Sequence, residues 1–349
     1  MERIHIAFFG PTNSGKSTLV NAIAGQQVSL VSDVPGTTTD PVRKLIELPG
    51  LGPCVLIDTA GLDDTGILGA ERQRLTRAVL DETDVAVVLQ MSDWGTLASQ
   101  AGIPVIHYTR GESIESLLQR IREAVPEEEQ RYLTGNLVKA GDTVLLVMPQ
   151  DSEAPKGRLI LPQVQVLREL LDRGCNPVCC TPESLPSALA ALKALPALTI
   201  TDSQVFALVN RALPGTAPLT SFSVLLAAAK GDAAVFAEGA KAIDRLTSGA
   251  RVLIAEACTH VPNTEDIGRV KIPALLRKKA DIQVEIAAGN DFPEDLTPYD
   301  LIIHCGACVA TRTLVRARMR KALLAGVPFT NYGIALAYLQ GMLDRIVIP

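Results

Sequence analysis

The stretch RIHIAFFGPTNSGKSTLVNAIAG, residues 3–25, decides the fold of the N-terminal part of the chain. Its opening RIHIAFF is a continuous apolar run that predicts a buried strand, and its closing LVNAIAG predicts a helix. Between the two lies the pattern G-x-x-x-x-G-K-S, which in this strand–loop–helix context is typical of a phosphate-binding loop. The sequence therefore predicts a nucleoside triphosphate site at the start of an α/β sheet.

Each residue type in this loop has a physical task. Gly10 and Gly15 allow the backbone to curl so that its amide groups point at phosphate oxygens. Lys16 is placed to reach the β- and γ-phosphates, and the hydroxyl of Ser17 is placed to bind Mg²⁺. We therefore assign the following loop residues to nucleotide binding: Gly10, Asn13, Ser14, Gly15, Lys16, Ser17 and Thr18.

Two further segments supply groups for triphosphate hydrolysis. VLIDTAG (55–61) predicts a strand that ends in an aspartate placed to hold Mg²⁺ through water, followed by a glycine free to approach the γ-phosphate. PGTTTD (35–40) supplies threonines at a distance suited to a switch loop. Thr38 is expected to face the magnesium ion, with Thr37 as the alternative. The residues expected to serve hydrolysis are Lys16, Ser17, Thr38, Asp58 and Gly61.

The order of these motifs resembles known GTPases. DTAG after a phosphate loop resembles the translation-factor-type GTPases, and GTTTD resembles an element of the bacterial Era and TrmE-like group. In that group the asparagine matched here by Asn13 helps to bind a potassium ion that replaces an arginine finger. Leu62 stands where Ras-like proteins carry a water-orienting glutamine, which implies slow intrinsic hydrolysis. The resemblance therefore implies GTP, Mg²⁺ and K⁺ as ligands of a switch rather than of a high-turnover enzyme.

The base-recognition element departs from this pattern. The group carries N-K-x-D after its next strand, whereas the best match here is QMSD (90–93), in which only Asp93 agrees. YTRGESIESLL (108–118) resembles the final loop and helix of such a domain. A strand–helix unit is therefore shortened or lost. Asp93 is either a guanine ligand or a solvated loop acid, and selectivity between GTP and ATP stays open.

The composition narrows the class of protein. With 47% hydrophobic and 20% charged residues, the chain of 349 residues is globular and long enough for two or three domains. A formal net charge of −5 argues against a nucleic-acid or anionic-membrane partner. No apolar run approaches the roughly 20 residues that span a bilayer. We therefore expect a cytoplasmic protein whose seven cysteines are thiols or metal ligands rather than disulfides.

Strand and helix patterns alternate along nearly the whole chain, which predicts an α/β protein with parallel sheets. We expect three domains: a shortened phosphate-loop domain at 1–128, a small α/β domain at 133–214 and an α/β domain with a parallel sheet at 218–349. The segment LPGTAP (213–218) predicts the linker between the last two. We find no internal repeat.

The third domain contains two similar cysteine–histidine segments, EACTH at 256–260 and HCGAC at 304–308. Each ends an apolar strand pattern, RVLIAEAC in the first case and LIIHC in the second. The carboxyl ends of parallel strands meet at one edge of a sheet, where ligands bind. This edge can therefore bring together five candidate metal ligands: Cys258, His260, His304, Cys305 and Cys308.

Four chemistries compete for this site. A thioredoxin-like redox pair needs only the C-x-x-C pattern and leaves EACTH unexplained. Inert buried thiols do not explain why two of the four histidines lie beside three of the seven cysteines. A structural zinc site with Cys₃His ligation is chemically sound. An iron–sulfur cluster held by three thiolates, with a histidine or an exchangeable ligand on the fourth iron, fits best. The other cysteines are core or surface thiols: Cys54, Cys175, Cys179 and Cys180.

The pairing of C-x-H with a distant H-C-x-x-C behind an Era-like GTPase domain resembles the FeFe-hydrogenase maturation GTPases, the HydF family. The resemblance implies a GTPase domain at 1–128, a dimerisation domain at 133–214 and a cluster-binding domain at 218–349. It implies that three cysteines hold a 4Fe–4S cluster, namely Cys258, Cys305 and Cys308, with His260 and His304 nearby. Similar stretches include VSDVPGTTTDPV (31–42), LIDTAGLDDTGILG (56–69), LTSFSVLLAAAKGD (219–232), DIGRVKIP (266–273) and TNYGIALAYLQG (330–341).

The resemblance also implies a scaffold function. It implies a protein that carries a transient di-iron precursor and delivers it to apo FeFe-hydrogenase. It also implies the radical-SAM maturases HydE and HydG as further partners and a homodimer or tetramer as the assembly. Two other functions stay open. One is a zinc-binding GTPase switch in ribosome or tRNA biogenesis, and the other is a scaffold that binds nucleotide with little hydrolysis.

Overall fold

Apolar strands covered by helices organise the chain into α/β layers. The computed structural model describes residues 3–25, 41–61, 69–90, 93–125, 132–150, 157–257, 266–308 and 310–349. The chain divides into two compact units, Met1–Glu129 and Gln130–Pro349. The first unit contains one sheet and the second contains two, which confirms the predicted α/β class with three sheet-based domains.

The first unit is built on a five-stranded sheet with the order β2-β3-β1-β4-β5. All described pairings are parallel except that of β2 with β3. Its strands are β1 (Ile4–Phe9), β2 (Val42–Leu48), β3 (Gly52–Asp58), β4 (Val85–Leu89) and β5 (Val105–Tyr108). Its helices are α1 (Lys16–Ala24), α2 (Gly69–Glu82), α3 (Asp93–Gln100) and α4 (Ile114–Ala124).

The two faces of this sheet have separate apolar cores because successive residues of β1 point to opposite sides. Phe8 packs with residues of α1 and α4, including Leu19 and Leu117. Phe9 packs on the other side, where it stacks on Trp94 of α3 with ring centroids 5.5 Å apart. The chain passes from β5 directly into α4, as expected for a GTPase-like domain that is shortened.

The middle sheet begins the second unit and has the order β7-β6-β8-β9, with every pairing parallel. Its strands are β6 (Thr143–Val147), β7 (Asn176–Cys180), β8 (Leu198–Thr201) and β9 (Leu219–Ser221). The helices of this part are α5 (Leu161–Asp172), α6 (Leu185–Ala191), α7 (Phe206–Ala212) and α8 (Phe222–Lys230).

The C-terminal sheet has the order β11-β10-β12-β13 and is also parallel throughout. Its strands are β10 (Arg251–Glu256), β11 (Gln283–Ala288), β12 (Leu301–His304) and β13 (Phe329–Asn331). The helices are α9 (Ala233–Ala240), α10 (Ile272–Arg277), α11 (Arg312–Leu324) and α12 (Tyr332–Leu339), and a π-helix at Ile267–Lys271 runs into α10.

The expected linker at 213–218 was wrong. This segment joins α7 to β9, and β9 pairs with β8 in the middle sheet, so the chain has not yet left that sheet at residue 218. Two short strands, β8 and β9, were missed by the pattern, because three or four residues carry too little periodicity to stand out. The limits of the three domains stay a prediction.

Among the described residues, no helix is long and apolar enough to cross a bilayer. The longest described helices of the chain, α2 and α11, have 14 and 13 residues. A spanning helix needs about 20 predominantly apolar residues.

A close helix–strand contact generates a test of the fold. Gly239 of α9 lies against the backbone of β13, and a Cβ atom at this position would come within 2.1 Å of the Phe329 carbonyl oxygen. We expect Gly239→Ala to lower the free energy of unfolding by about 1–3 kcal/mol, the usual cost of overpacking. Denaturant titration of the full chain measures this difference.

Gly215→Ala is the matched control, because a Cβ atom there meets no heavy atom within 4 Å. An unchanged unfolding midpoint for Gly239→Ala would contradict the described packing of α9 on β13.

Candidate functional site

The phosphate loop between β1 and α1 has the backbone shape that the sequence predicts. Gly10 has a φ of +157°, Asn13 of +60° and Gly15 of +97°. At Gly10 the reason is also steric, since a Cβ atom would lie 2.5 Å from the carbonyl oxygen of Leu89 in β4. The curled loop ends at Gly15, directly before α1, so the first amide groups of that helix face the loop.

Lys16 is held within the loop by its own side chain. The residue is 6% exposed, and its ammonium Nζ donates to the carbonyl oxygens of Gly10 (2.9 Å) and Pro11 (2.7 Å). A buried ammonium requires such acceptors because its desolvation is costly. The positive charge therefore sits over the concave side of the loop, where it can meet phosphate oxygens.

The aspartate predicted to serve magnesium lies beside this loop. Asp58 ends β3 and is fully buried, and its register partner on β1 is Phe8. The next residue, Thr59, donates its hydroxyl to the Phe8 carbonyl oxygen over 2.7 Å. This bond ties the DTAG segment to the strand that leads into the phosphate loop, and Gly61 follows two residues later.

For several residues, the role in nucleotide binding stays a prediction. Thr37, Thr38 and Leu62 lie outside the described residues. Asp93 is exposed in the first turn of α3, just after β4. Its role as a guanine ligand stays a prediction. Ser14, Ser17 and Thr18 lie in the loop and the start of α1, as the motif requires.

The second predicted site lies at the carboxyl ends of β10 and β12. These strands are parallel neighbours, with Ala255 opposite His304, and the Cys305 amide donates to the Ala255 carbonyl oxygen over 2.8 Å. The Cys305 sulfur accepts hydrogen bonds from the amides of Ala257 (3.1 Å) and Ala307 (3.4 Å). The EAC and HCGAC segments are therefore joined at the sulfur atom of Cys305.

The neighbouring cysteines extend this edge. Cys308 is partly exposed and follows Ala307, whose φ of +51° turns the chain sharply between the two cysteines. Cys258 and His260 lie outside the described residues, although Ala257, directly before Cys258, is held at the site. Within the part of the chain that is described, no three histidine, cysteine or acidic side chains converge as a metal site.

His304 lies at the site as a buried, neutral imidazole. It is 1% exposed, its Nδ1 donates to the Cys305 carbonyl oxygen (2.8 Å), and its Nε2 accepts from the Arg318 guanidinium (3.2 Å). Burial, and secondly the charge of Arg318, lower the pKa of His304 to about 3, so the ring is neutral. Nδ1 is thus bound to a backbone carbonyl and Nε2 faces Arg318, and the role of His304 as a metal ligand stays a prediction.

Arg318 was missed by the sequence reasoning. This arginine of α11 is 3% exposed and donates to the carbonyl oxygens of Glu256 (3.2 Å) and Gly289 (2.5 Å) as well as to His304. It thus joins the ends of three strands, β10, β11 and β12. A signal was present, because Arg318 occupies a position between Val315 and Ala322 on the apolar stripe of the helix.

An ion pair between a buried carboxylate and a partly exposed guanidinium lies on the other side of β10. Glu256 is 1% exposed and accepts from the Arg269 guanidinium of the π-helix over 2.7 Å. Gly268 beside it has no room for a side chain, since a Cβ atom would fall 1.9 Å from the Tyr332 hydroxyl oxygen. Burial raises the pKa of Tyr332 well above its usual value, so its hydroxyl stays protonated.

The four cysteines predicted as ordinary thiols all have raised pKa values. Burial raises the pKa of Cys54 and of Cys180 to about 11, and it raises the pKa values of Cys175 and Cys179 as well. They are therefore protonated near neutral pH and are poor nucleophiles and metal ligands. Cys179 is exposed rather than buried, because β7 is the edge strand of its sheet.

Comparison with known protein families matches three segments of the chain. Residues 5–148 match the family described as 50S ribosome-binding GTPase. Residues 133–231 match the Hydrogen maturase F dimerization domain, and residues 234–349 match the Hydrogen maturase F tetramerization domain.

The curated relatives cover only part of the chain. The tRNA modification GTPase MnmE of Methylobacterium sp. (strain 4-46) is 38% identical over 107 residues, which are 30% of this chain and 24% of that protein. MnmE of Xanthomonas oryzae pv. oryzae (strain MAFF 311018) is 44% identical over 87 residues, 25% of this chain and 19% of that protein. The chain thus spans a quarter or less of the length of these relatives.

A solved structure of Era in complex with MgGDPNP and nucleotides 1506–1542 of 16S ribosomal RNA is also similar. It is 15% identical, with a TM-score of 0.33, and the similarity covers 55% of this chain and 99% of that chain.

A phosphate-loop GTPase domain followed by dimerization and tetramerization domains defines the class of protein: a multidomain GTPase with two oligomerisation domains. The two domain matches that fill residues 133–231 and 234–349 are both specific to one family. The chain belongs to the hydrogen maturase F family, HydF, the family of GTP-binding hydrogenase maturation proteins.

The phosphate loop generates a direct test. We expect Lys16→Met to weaken GTP binding about 10- to 100-fold, because hydrogen bonds to charged groups contribute about 1.5–3 kcal/mol each. Calorimetric titration with GTP in the presence of Mg²⁺ measures the loss. Lys193→Met, at an exposed lysine outside the first unit, serves as the control. Equal GTP affinity in the Lys16 variant and the control would contradict the assigned role of Lys16.

Proposed function

We propose that this protein is a GTP-hydrolysing scaffold that carries a 4Fe–4S cluster and delivers a di-iron precursor to apo FeFe-hydrogenase. The observation that carries the proposal is the hydrogen bond from the Ala257 amide to the Cys305 sulfur, which brings the two cysteine segments to one sheet edge. The proposal adds a cargo and a recipient to the membership of the HydF family.

The residues at this edge fit an iron–sulfur cluster. Cys305 accepts two amide hydrogen bonds at its sulfur, an environment that favours a thiolate over a thiol. Cys258, Cys305 and Cys308 would hold three irons, and the fourth would take His260 or an exchangeable ligand. When bound, the cluster supplies an anchor for the di-iron precursor. His304, with both nitrogens occupied, orients the Cys305 backbone rather than serving as the fourth ligand.

Buried positive charge supports the same assignment. Arg318 places a guanidinium at the ends of β10 and β12, and its bond to the Glu256 carbonyl oxygen fixes the strand that leads to Cys258. A cluster with three thiolate ligands is anionic, so a cation held nearby stabilises it. A Cys₃His zinc site has the same net charge, so Arg318 supports an anionic metal–thiolate site without distinguishing the two metals.

Hydrolysis of GTP would follow from the groups around the phosphate loop. Lys16 neutralises charge on the β- and γ-phosphates as the bond to the leaving diphosphate breaks, and loop amides orient the phosphate oxygens. Mg²⁺, held by Ser17, Thr38 and water on Asp58, would supply further charge neutralisation. Asn13 would hold a K⁺ ion. With Leu62 in place of a water-orienting glutamine, intrinsic turnover would be slow.

The nucleotide would act as a switch for partner contacts. Loss of the γ-phosphate would release the switch segment at 33–40 and thereby change the affinity for partners. The partners in this proposal are the apo-hydrogenase and the radical-SAM maturases HydE and HydG. The matches to dimerization and tetramerization domains support a homodimer or a tetramer as the assembly in this proposal.

The cluster is tested by the colour and iron content of protein purified without oxygen. We expect the unaltered protein to be brown, to contain about four irons per chain after reconstitution, and to give an EPR signal on reduction. Cys305→Ala should lose most of the iron and keep its GTP affinity, because the cysteine lies in the second unit.

Cys179→Ala is the matched control, at an exposed cysteine of the edge strand β7. A colourless protein with one zinc per chain would contradict the cluster and support the zinc-binding switch instead. Full iron content in the Cys305 variant would contradict the ligand assignment.

Guanine selectivity is tested at Asp93. We expect the unaltered protein to bind GTP about tenfold or more tightly than ATP, and Asp93→Asn to lose this preference by weakening GTP alone, because the carboxylate pairs with the donor edge of guanine. Competition titrations with both nucleotides measure the ratio. Equal affinities in the unaltered protein would remove guanine specificity, and an unchanged ratio in the variant would make Asp93 a solvated acid.

A further inference from the structure

The middle and C-terminal sheets of the second unit have the same topology. In each, the first strand lies inside the sheet, the second pairs on one side of it, and the third and fourth follow on the other side. The fourth strand of each leads directly into a helix whose N-cap is a side chain of that strand, Ser221 before α8 and Asn331 before α12. The agreement extends from strand order to local capping.

The sequences of the two sheets match at the corresponding places. PLTSFSVLLAAAKG (218–231) and PFTNYGIALAYLQG (328–341) share proline, threonine, leucine, alanine and glycine at the same positions, with conservative changes between them. GRLILP (157–162) and GRVKIP (268–273) match where α5 and α10 begin. The second unit is therefore two copies of one α/β module, and the expectation of no internal repeat was wrong.

The two copies meet through equivalent helices. Ser223 of α8 and Gly333 of α12 occupy the same position in the matched stretches, and a Cβ atom on Gly333 would lie 2.6 Å from the Ser223 hydroxyl oxygen. A contact between equivalent positions is the mark of an approximate two-fold relation. Each copy therefore extends its last helix toward the loop after the third strand of the other copy.

The ends of these two helices have different residues. α12 is followed by Gln340, which lines a cavity of about 530 Å³ together with Gln204 and Val205 of the first copy. α8 ends in Lys230, which is 7% exposed and donates to the carbonyl oxygens of Ala307 and Ala310, each at 2.5 Å. Lys230 of the first copy thus places a buried ammonium in the cysteine loop of the second copy.

We infer that Lys230 is a positioning residue for the cysteine loop, described at residues 305–308 and at Ala310, and that one copy of the module supplies it to the site of the other. The inference rests on the proposed cluster function. Its ammonium fixes the two carbonyl groups that flank Cys308 in sequence, and one of them belongs to Ala307. Ala307 has a left-handed backbone that a residue with a Cβ atom rarely adopts, so the loop needs such a restraint.

The same charge acts on the cluster. An ammonium held within the loop that carries Cys305 and Cys308 would stabilise the added negative charge of a reduced cluster. Loss of the charge therefore lowers the reduction potential. A lysine that only fills space would leave the potential unchanged after replacement by a side chain of similar length.

The test uses the full chain with Lys230→Gln, because glutamine occupies the equivalent helix position in the other copy. In the protein without cluster, hydrogen exchange of the amides at 305–311 should become about tenfold faster, the effect of losing a charged hydrogen bond of about 1.5 kcal/mol. After anaerobic reconstitution with iron and sulfide, the midpoint potential should fall. Lys241→Gln, at an exposed lysine paired with Glu238, should change neither readout.

Lys230→Arg keeps the charge and should restore both readouts. Unchanged exchange and potential in Lys230→Gln would overturn the inference, as would faster exchange throughout the chain, which indicates a merely structural role. Equal losses with glutamine and arginine would also overturn it, because packing rather than charge would then be responsible. Failure of the wild-type protein to bind iron, together with faster local exchange in Lys230→Gln, would instead contradict the proposed cluster function and leave the positioning role of Lys230 in place.

Discussion

The interior position of the first strand is the constraint on which each of the three sheets depends. β1 pairs with β3 and β4, β6 with β7 and β8, and β10 with β11 and β12. At the carboxyl end of such a strand the neighbouring connections leave in different directions, and a crevice opens. The phosphate loop follows β1 and the EACTH segment follows β10, so both candidate sites occupy the place that strand order provides.

Buried cations turn these crevices into fixed sites. Lys16, Lys230 and Arg318 are each less than a tenth exposed, and each donates to backbone carbonyl oxygens of a loop or a strand end. Burial of a lone cation is costly, and several carbonyl dipoles offset that cost. These hydrogen bonds restrict the loops before a ligand binds, so less conformational entropy is lost on binding.

Motifs with a strict spacing were predictable from the sequence. The strand–loop–helix around Lys16 and the strand ends before Cys258 and Cys305 follow from apolar runs and glycine positions, which depend on neighbours in the chain. The partners of His304 were not predictable in this way. Its Nε2 contacts Arg318 of the following helix, a contact that the pairing of the EACTH and HCGAC segments does not reveal.

The contacts of Lys230 were not predictable from the sequence either, because its partners are distant in the chain. In sequence it ends an apolar helix and precedes a glycine, a common place for a surface lysine at a helix C-terminus. Only the return of the chain more than seventy residues later brings Ala307 and Ala310 to its ammonium. The duplication was hidden because the matching stretches are short and the segments between them differ in length.

The two copies of the module have the same fold but differ in the residues at their strand ends. Aligned on their strands, Gln150 stands in the first copy where Cys258 stands in the second, and Asp202 stands where Cys305 stands. Asp202 accepts a hydrogen bond of 2.8 Å from the buried Gln163 of α5, so that end of the strand is fastened to its own helix. One scaffold thus ties a strand end to a helix in the first copy and carries cysteines at the corresponding strand ends in the second. The chemistry resides in the loop residues, since strand order is common to both.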